Sequence, residues 1–200
     1  MNSSLDILGQ SLSILELLGV ASGLLGVWLT TIRSIYCFPV GILNVIIYAL
    51  IFFGPDVRLY ADGGLQLCFG VLLTAGWVNW ARKNNLSKTE ITGLSKHDII
   101  RLALISVPAG FLSGEILTRT DAAYPRLDAW LATFSLVAQW LIAKKKIENW
   151  ILWIAVNTIY VPVYWYRGLP ATSMLYSLYL LLAIKGFLSW RRSLTSKIVR

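Results

Sequence analysis

The sequence contains little charge for its length. Only 14% of its 200 residues are charged, 56% are hydrophobic, and the mean hydropathy is +0.65. Soluble domains carry about 25% charged residues, and so much apolar side chain would leave a soluble chain of this size with large exposed patches. The composition excludes an ordinary soluble globular protein and indicates a chain embedded in a lipid bilayer.

Histidine and cysteine are also scarce. The two cysteines, Cys37 and Cys68, both lie in apolar segments, which excludes a disulfide framework. The single histidine, His97, lies in a polar stretch, and the sequence has neither a G-x-x-x-x-G-K-[ST] phosphate loop nor an H-E-x-x-H motif. We therefore expect no catalytic residues, no enzyme activity, no metal and no cofactor.

Seven apolar segments are long enough to cross about 30 Å of hydrocarbon. We expect an all-α polytopic membrane protein, multi-pass in a cell inner membrane, with spans near residues 12–31, 36–53, 62–81, 99–118, 127–143, 148–166 and 172–190.

The net charge of +8 comes from basic residues placed between these apolar runs. Because they do not form an aromatic-rich polar face, we expect no nucleic-acid partner. With seven spans, 14 of the 18 Lys and Arg residues fall on one side of the membrane and four on the other. The excess of basic residues on the cytoplasmic side of membrane proteins predicts an outside N-terminus and a cytoplasmic C-terminus.

The two ends of the chain resemble each other in the order of several residues. Glu16, Leu24, Trp28, Asn44 and Gly76–Trp80 correspond in sequence order to Asp128, Leu136, Trp140, Asn157 and Gly186–Trp190. The correspondence predicts a 3+1+3 parallel repeat, an architecture typical of transporters. The first three-helix bundle is 12–81, and 82–126 contains a cytoplasmic loop, a linker helix near 99–118 and an outer loop. The second bundle is 127–190, and 191–200 is a basic cytoplasmic tail.

Polar and aromatic residues follow a helical period on three spans. On the sixth span, five of them lie within about 80° of arc at 100° per residue: Trp150, Trp153, Asn157, Tyr160 and Tyr164. The second span has Cys37, Gly41, Asn44 and Tyr48, and the third has Asp62, Gln66, Gly70 and Trp77. Such faces suit a flat aromatic ligand with polar edges. For Asn44 and Asn157, hydrogen bonding between helices is the alternative.

A longer motif covers the start of the sixth span. Glu148–Trp153 followed by Asn157 resembles the E-N-W-x-x-W-x-x-x-N motif of PnuC-type vitamin transporters. Gly41–Val45, Leu59–Asp62 with Leu65 and Gln66, and Gly76–Trp80 are similar to that family's second and third core helices, and the resemblance extends over about residues 12–190.

The resemblance implies a SWEET-like seven-helix plan and import of nicotinamide riboside by facilitated diffusion, with alternating access. A cytoplasmic kinase would then trap the substrate by phosphorylation and link uptake to NAD biosynthesis. Relatives associated with thiamine, riboflavin or deoxynucleosides keep the substrate open, with thiamine as the main alternative. A non-transporting assembly subunit, ion coupling and homo-oligomerisation also stay open.

The resemblance further implies roles for individual residues. Asn157, Trp150 and Trp153 would line the pocket, and Gln66 would bond polar edges of the ligand. Asn44 and Tyr60 are second candidates, and the helical faces add Tyr48 and Tyr160. A cationic pyridinium ring could lie against the indole faces through cation–π attraction.

Overall fold

The computed structural model of the chain describes residues 4–7, 10–54, 60–84, 91–120 and 124–198. Side chains are described over 13–54, 62–82, 91–120 and 124–195. Within these ranges the chain forms seven helices, as predicted. They are α1 (Ile14–Thr31), α2 (Cys37–Phe53), α3 (Tyr60–Asn84), α4 (Lys96–Leu117), α5 (Pro125–Ala143), α6 (Glu148–Tyr166) and α7 (Pro170–Ile198).

The described N-terminal part contains a hairpin that the all-α expectation did not include, and the last helix is longer than the predicted span. An antiparallel hairpin of β1 (Ser4–Ile7) and β2 (Gln10–Ser13) precedes α1. This hairpin was not predicted from the sequence. At the other end, α7 continues through Ile198, into the segment that the sequence assigns to a basic tail.

Hydrogen bonds from side chains fix where α1 begins. The hydroxyl of Ser13 accepts from the Glu16 amide at 3.2 Å, and the Glu16 carboxylate accepts from the Ser13 amide at 2.6 Å. This capping box satisfies two backbone groups that the first helical turn leaves unpaired. It gives Glu16 a structural role.

Four of the described helices are long and apolar enough to cross a membrane. These segments are Ile14–Thr31, Asp62–Arg82, Lys96–Leu117 and Pro170–Thr195, and Cys37–Phe53 is a shorter apolar helix. The 19-residue helices α5 and α6 carry polar side chains that are buried in the bundle, among them Gln139 and Asn157. Their polarity is therefore a property of their inner faces.

Six helices form a closed ring. Around the ring, α1 packs on α2, α2 on α3, α3 on α5, α5 on α6, α6 on α7, and α7 on α1. Helix α4 lies outside the ring against α5. Its apolar side chains Leu104, Ile105, Phe111 and Leu112 are more than half exposed, which suits contact with lipid.

Two tryptophans close the ring at the end where the basic residues Arg33 and Lys144–Lys146 lie, which we call the basic end. The indole N–H of Trp80 on α3 donates to the carbonyl of Ile142 on α5 at 3.2 Å. In the matching contact, the indole N–H of Trp190 on α7 donates to the carbonyl of Thr30 on α1 at 3.2 Å. The two junctions are joined by the same kind of bond.

The residues beside these tryptophans repeat the arrangement. The Asn79 amide donates to the Ala143 carbonyl at 2.7 Å, and the Ser189 hydroxyl donates to the Thr31 carbonyl at 3.0 Å. These acceptors are the last carbonyls of α5 and α1, which have no partner within their own helices. The contacts therefore satisfy helix ends and join neighbouring helices at once.

The turns that follow α1 and α5 also share one geometry. Arg33 and Lys145 have φ values of 61° and 54°, in the left-handed region that non-glycine residues seldom adopt. In each turn the amide of the next residue, Ser34 or Lys146, bonds back to a carbonyl five positions earlier, at 3.0 and 2.9 Å. Such bonds stop a helix within a few residues and set where α2 and α6 begin.

An aromatic core fills the ring at the basic end. Phe38, Trp80, Trp150 and Trp190 are each at most 2% exposed, and we call them the aromatic core. The rings of Phe38 and Trp80 meet edge to face at 5.0 Å, and those of Trp150 and Trp190 at 5.5 Å. Phe38 packs so closely on Gly76, and Trp150 on Gly186, that neither glycine position has room for a side chain. The packing closes this end of the bundle.

The segment Ile91–Ser95, which we call the strap, crosses the basic end and is bound to the turn between α5 and α6. Thr92 pairs with that turn, because its amide donates to Lys145 and its carbonyl accepts from Ile147, at 3.2 and 3.1 Å. The Leu94 amide donates to the Glu148 carboxylate at 2.8 Å. Ile91 is 7% exposed and packs in the cluster that contains the aromatic core.

Glu148→Ala should loosen the strap and expose Cys37, which is 3% exposed in the same buried cluster. The substitution removes the acceptor of the Leu94 amide, and a hydrogen bond to a charged group contributes about 1.5–3 kcal/mol. We expect alkylation of Cys37 by a small maleimide to accelerate by about tenfold or more. The background is Cys68→Ser, because Cys68 is exposed.

Two control variants separate the strap from a general loss of stability. Glu148→Gln retains an acceptor oxygen, so Cys37 should stay protected. Glu115→Ala removes an exposed pairing with Arg126, of 3.1 Å, on the helices α4 and α5, and should have no effect. Equal alkylation rates in Glu148→Ala and in the unsubstituted background would show that the strap does not protect the core.

Candidate functional site

One face of α6 carries the densest group of polar and aromatic side chains. Trp153, Asn157, Tyr160 and Tyr164 follow at intervals of three or four residues, which places them on one side of a helix. Asn157 is 3% exposed and makes no hydrogen bond with a described residue. The Tyr160 and Tyr164 rings stack at 5.5 Å. This face combines a buried free amide with aromatic rings.

Helix α7 adds two tyrosines that the sequence analysis did not select. The Tyr176 ring lies 4.7 Å from that of Tyr160 and 5.0 Å from that of Tyr164, and the Tyr179 ring lies 5.9 Å from that of Tyr176. We call these four residues the tyrosine cluster. The three-residue spacing of Tyr176 and Tyr179 on α7 is the pattern that could have indicated them.

In the stripe on α2, Asn44 and Tyr48 face α1. The Asn44 amide donates to the Gly19 carbonyl at 2.6 Å and to the Ser22 hydroxyl at 3.3 Å. Tyr48 is half-buried, lies 5.8 Å from the ring of Phe52 and fills the space beside Gly19. The geometry of Asn44 favours the structural alternative for this residue, a hydrogen bond between helices.

Helix α3 contributes a second amide without a described partner. Gln66 is half-buried and makes no hydrogen bond with a described residue. The backbone of Tyr60 belongs to α3, but its side chain lies outside the described residues. Gln66 thus stays a ligand candidate on geometric grounds, and Tyr60 stays a sequence prediction.

Acidic side chains lie beside the tyrosine cluster, at the end opposite the basic end. Asp62 on α3 and Asp128 on α5 are near enough to act electrostatically on each other and on Tyr160 and Tyr164. Negative charge beside aromatic faces is an environment that attracts a cation. The arrangement suits a positively charged aromatic ligand.

Trp150 and Trp153 occupy different environments. Trp150 is 1% exposed in the aromatic core against Trp190, and its indole N–H has no hydrogen-bond partner among the described residues. Trp153 is half-buried and packs on the edge of the same cluster. Trp153 therefore lies between the core and the open face of α6, whereas the core encloses Trp150.

A groove of about 600 Å³ lies on the outer side of α6 and α7. Its lining includes Val161, Pro162, Trp165 and Met174. Pro162 and Trp165 lie on a different face of α6 from Asn157, Tyr160 and Tyr164, Trp165 is 64% exposed, and Val161 lies at the boundary between the two faces. None of the candidate site residues lines this groove. Among the described residues, no three or more His, Cys, Asp or Glu side chains are grouped to hold a metal ion.

Comparison with known proteins agrees with this architecture. A family model described as nicotinamide mononucleotide transporter matches residues 13–192. The nicotinamide riboside transporter PnuC of Escherichia coli is 29% identical, over 92% of this chain and 88% of that protein. The riboflavin/roseoflavin transporter RibM of Streptomyces davaonensis is 25% identical, over 88% of this chain and 83% of that protein.

A solved structure has the same fold. The crystal structure of the vitamin B3 transporter PnuC superposes with a TM-score of 0.72 at 23% identity, and covers 91% of this chain and 82% of that one. The resemblance to PnuC-type proteins, first noted on the α6 motif, is confirmed by the family match. The chain belongs to the nicotinamide mononucleotide transporter family and is a membrane transporter rather than an enzyme.

Proposed function

We propose that the protein imports nicotinamide riboside across a cell inner membrane. The observation that carries the proposal is Asn157, a free amide buried on the face of α6 that also presents Trp153, Tyr160 and Tyr164. A buried amide without a partner costs free energy. A ligand with polar edges and a flat ring can hydrogen-bond this amide and stack on the aromatic side chains.

A nucleoside fits the helices better than its phosphorylated form. Helices α1, α2 and α6 contain no Lys or Arg, and the tyrosine cluster lies beside Asp62 and Asp128. A phosphate group carries about two negative charges at neutral pH, and nothing on these three helices would neutralise it. The cationic pyridinium of nicotinamide riboside, in contrast, is attracted by carboxylates and aromatic faces.

Thiamine is the alternative substrate. It is also cationic and aromatic, and no described side chain is specific for a carboxamide or a ribose. The relative named for riboflavin and roseoflavin supports a site that different vitamins can occupy. We place nicotinamide riboside first because several of the relatives carry its name.

The proposed mechanism is alternating access between two bundles, α1–α3 and α5–α7, related as a 3+1+3 parallel repeat with α4 as linker. Three paired features support the repeat: the bonds of Trp80 and Trp190, the turns at Arg33 and Lys145, and the matching order of helix contacts. The distribution of Lys and Arg supports an outside N-terminus and a cytoplasmic C-terminus.

Facilitated diffusion requires a sink for net import. A cytoplasmic kinase would supply it, because phosphorylation adds negative charge that the helices do not neutralise and so prevents return. This link to a kinase is part of the proposal. The absence of a phosphate-binding loop from the sequence supports transport that uses no nucleotide within this chain.

Asn157→Ala should abolish or strongly weaken ligand binding, because the amide is the buried polar group of the α6 face. Calorimetry on the purified protein, with nicotinamide riboside, thiamine and riboflavin in turn, measures the loss and identifies the substrate. We expect binding of nicotinamide riboside at least about tenfold weaker in the variant. Thr158→Ala is the matched control, because Thr158 is adjacent but exposed. Unchanged affinity in Asn157→Ala would refute the site.

Trp153→Ala should reduce uptake far more than Trp165→Ala. Trp153 is half-buried beside Asn157 on the inner face, whereas Trp165 is 64% exposed on the outer side of the same helix. The loss of an aromatic stacking partner should lower the initial uptake rate several-fold. Reconstituted vesicles and radiolabelled nicotinamide riboside provide the measurement. Equal losses in the two variants would contradict the assignment of the inner face.

An ionophore should leave the initial rate of uptake unchanged if transport is facilitated diffusion. The test uses vesicles loaded with the kinase that phosphorylates the substrate and with an ion gradient across the membrane. The kinase traps the imported substrate, so accumulation itself does not require the gradient. Loss of the initial rate when the proton or sodium gradient is collapsed would show ion coupling instead. A fall in final accumulation alone would not, because accumulation also depends on the kinase.

A further inference from the structure

Helix α5 carries a buried amide, that of Gln139, which is not among the residues of the proposed site. Gln139 is 8% exposed and makes no hydrogen bond with a described residue. It lies on the side of α5 that is buried in the bundle, together with Leu131, Ser135 and Ile142. That side is opposite the one where Trp130 meets Phe111 of α4, so Gln139 is directed into the ring.

The described side-chain amides of the bundle divide into two groups according to whether they donate to a backbone carbonyl. Asn44, Asn79 and Asn149 each donate to a backbone carbonyl. Gln66, Gln139 and Asn157 make no such bond with a described residue, and they lie on α3, α5 and α6. Since α5 packs against both α3 and α6, the three free amides occupy adjacent helices.

Gln139 and Asn157 are buried but not wholly enclosed. The described side-chain atoms that are both fully enclosed and unpaired belong to Glu148, Asn149 and Trp150, near the basic end. Neither Gln139 nor Asn157 is among them, so their unpaired amide atoms keep some accessible surface. A buried polar group that lacks a protein partner but stays accessible can be satisfied by a ligand or by water.

The two amides lie at compatible depths. Gln139 is four residues before the end of α5 at Ala143, and Asn157 is nine residues after the start of α6 at Glu148. At about 1.5 Å per residue they lie about 6 and 13 Å from the basic end. A separation of about 7 Å along the axis allows one ligand with a base and a sugar to reach both.

We propose that Gln139 is a further ligand-binding residue, whose amide hydrogen-bonds the polar edge of the ligand on the basic-end side of Asn157. The proposal rests on the proposed function, because it assigns the ligand to the site of α6. An amide offers two donors and one acceptor oxygen, so it is complementary to a carboxamide or to sugar hydroxyls. The aromatic core lies nearer the basic end than either amide.

Gln139→Leu tests the proposal, with Asn79→Leu as the matched control. Both variants replace an amide by an apolar side chain of similar size, but the Asn79 amide is bound to Ala143. We expect Gln139→Leu to weaken the binding of nicotinamide riboside by about tenfold or more without lowering the melting temperature of the ligand-free protein. Asn79→Leu should do the reverse, with a lower melting temperature and retained affinity.

Two outcomes overturn the proposal: unchanged affinity in Gln139→Leu, or a melting temperature lowered as in Asn79→Leu, which would mean that the amide holds helices together. Failure of the proposed function is a distinct result, in which the unsubstituted protein binds none of nicotinamide riboside, thiamine and riboflavin. The unfolding experiment then decides alone. A melting temperature of Gln139→Leu at or above that of the unsubstituted protein supports an amide kept free for a ligand, and a lower one refutes it.

Discussion

The hydrogen bonds from Trp80 and Trp190 to the last turns of α5 and α1 are the contacts on which the rest of the structure depends. Lipid tails are as apolar as leucine, so helices in a bilayer gain little from burying apolar surface against each other. Association then depends on packing and on hydrogen bonds between helices. These two bonds lie at the two junctions between α1–α3 and α5–α7. Beside them, Asn79 and Ser189 bind the last carbonyls of α5 and α1, which have no partner within their own helices.

The closed end has a consequence for the rest of the ring. The aromatic core, Gly76, Gly186 and the strap leave little space near the basic end, and polar atoms there are bound or fully enclosed. Farther along the helices, the amides of Asn157 and Gln139 are buried without such partners. The fold thus concentrates its hydrogen bonds between helices at the basic end and leaves two buried amides without such bonds farther along the helices, where we propose that the ligand binds.

Period and composition were enough to predict the seven helices and the face of α6, because both depend on residues spaced along one helix. Contacts between helices were not predictable in this way. Asn44 and Asn157 correspond in the two halves of the sequence. Only Asn44 donates to a backbone carbonyl of a neighbouring helix, that of Gly19 on α1. Gln139 was missed for the same reason: it lies beside Trp140 in an apolar run with no polar stripe, and only packing shows that its amide faces inward.

The hydrogen bonds that join the helices, which we call the frame, end on backbone carbonyls, whereas the candidate site consists of side-chain amides and aromatic rings. This difference explains how one fold can occur in transporters named for different vitamins. The frame bonds of Trp80, Trp190 and Asn79 end on backbone carbonyls, and those acceptors persist whatever side chains line the interior. The amides of Gln66, Gln139 and Asn157 make no hydrogen bond with a described residue. If these amides bind the ligand as proposed, exchanging them would alter which donors and acceptors it meets while the junctions stay intact, so that specificity could change without a change of fold.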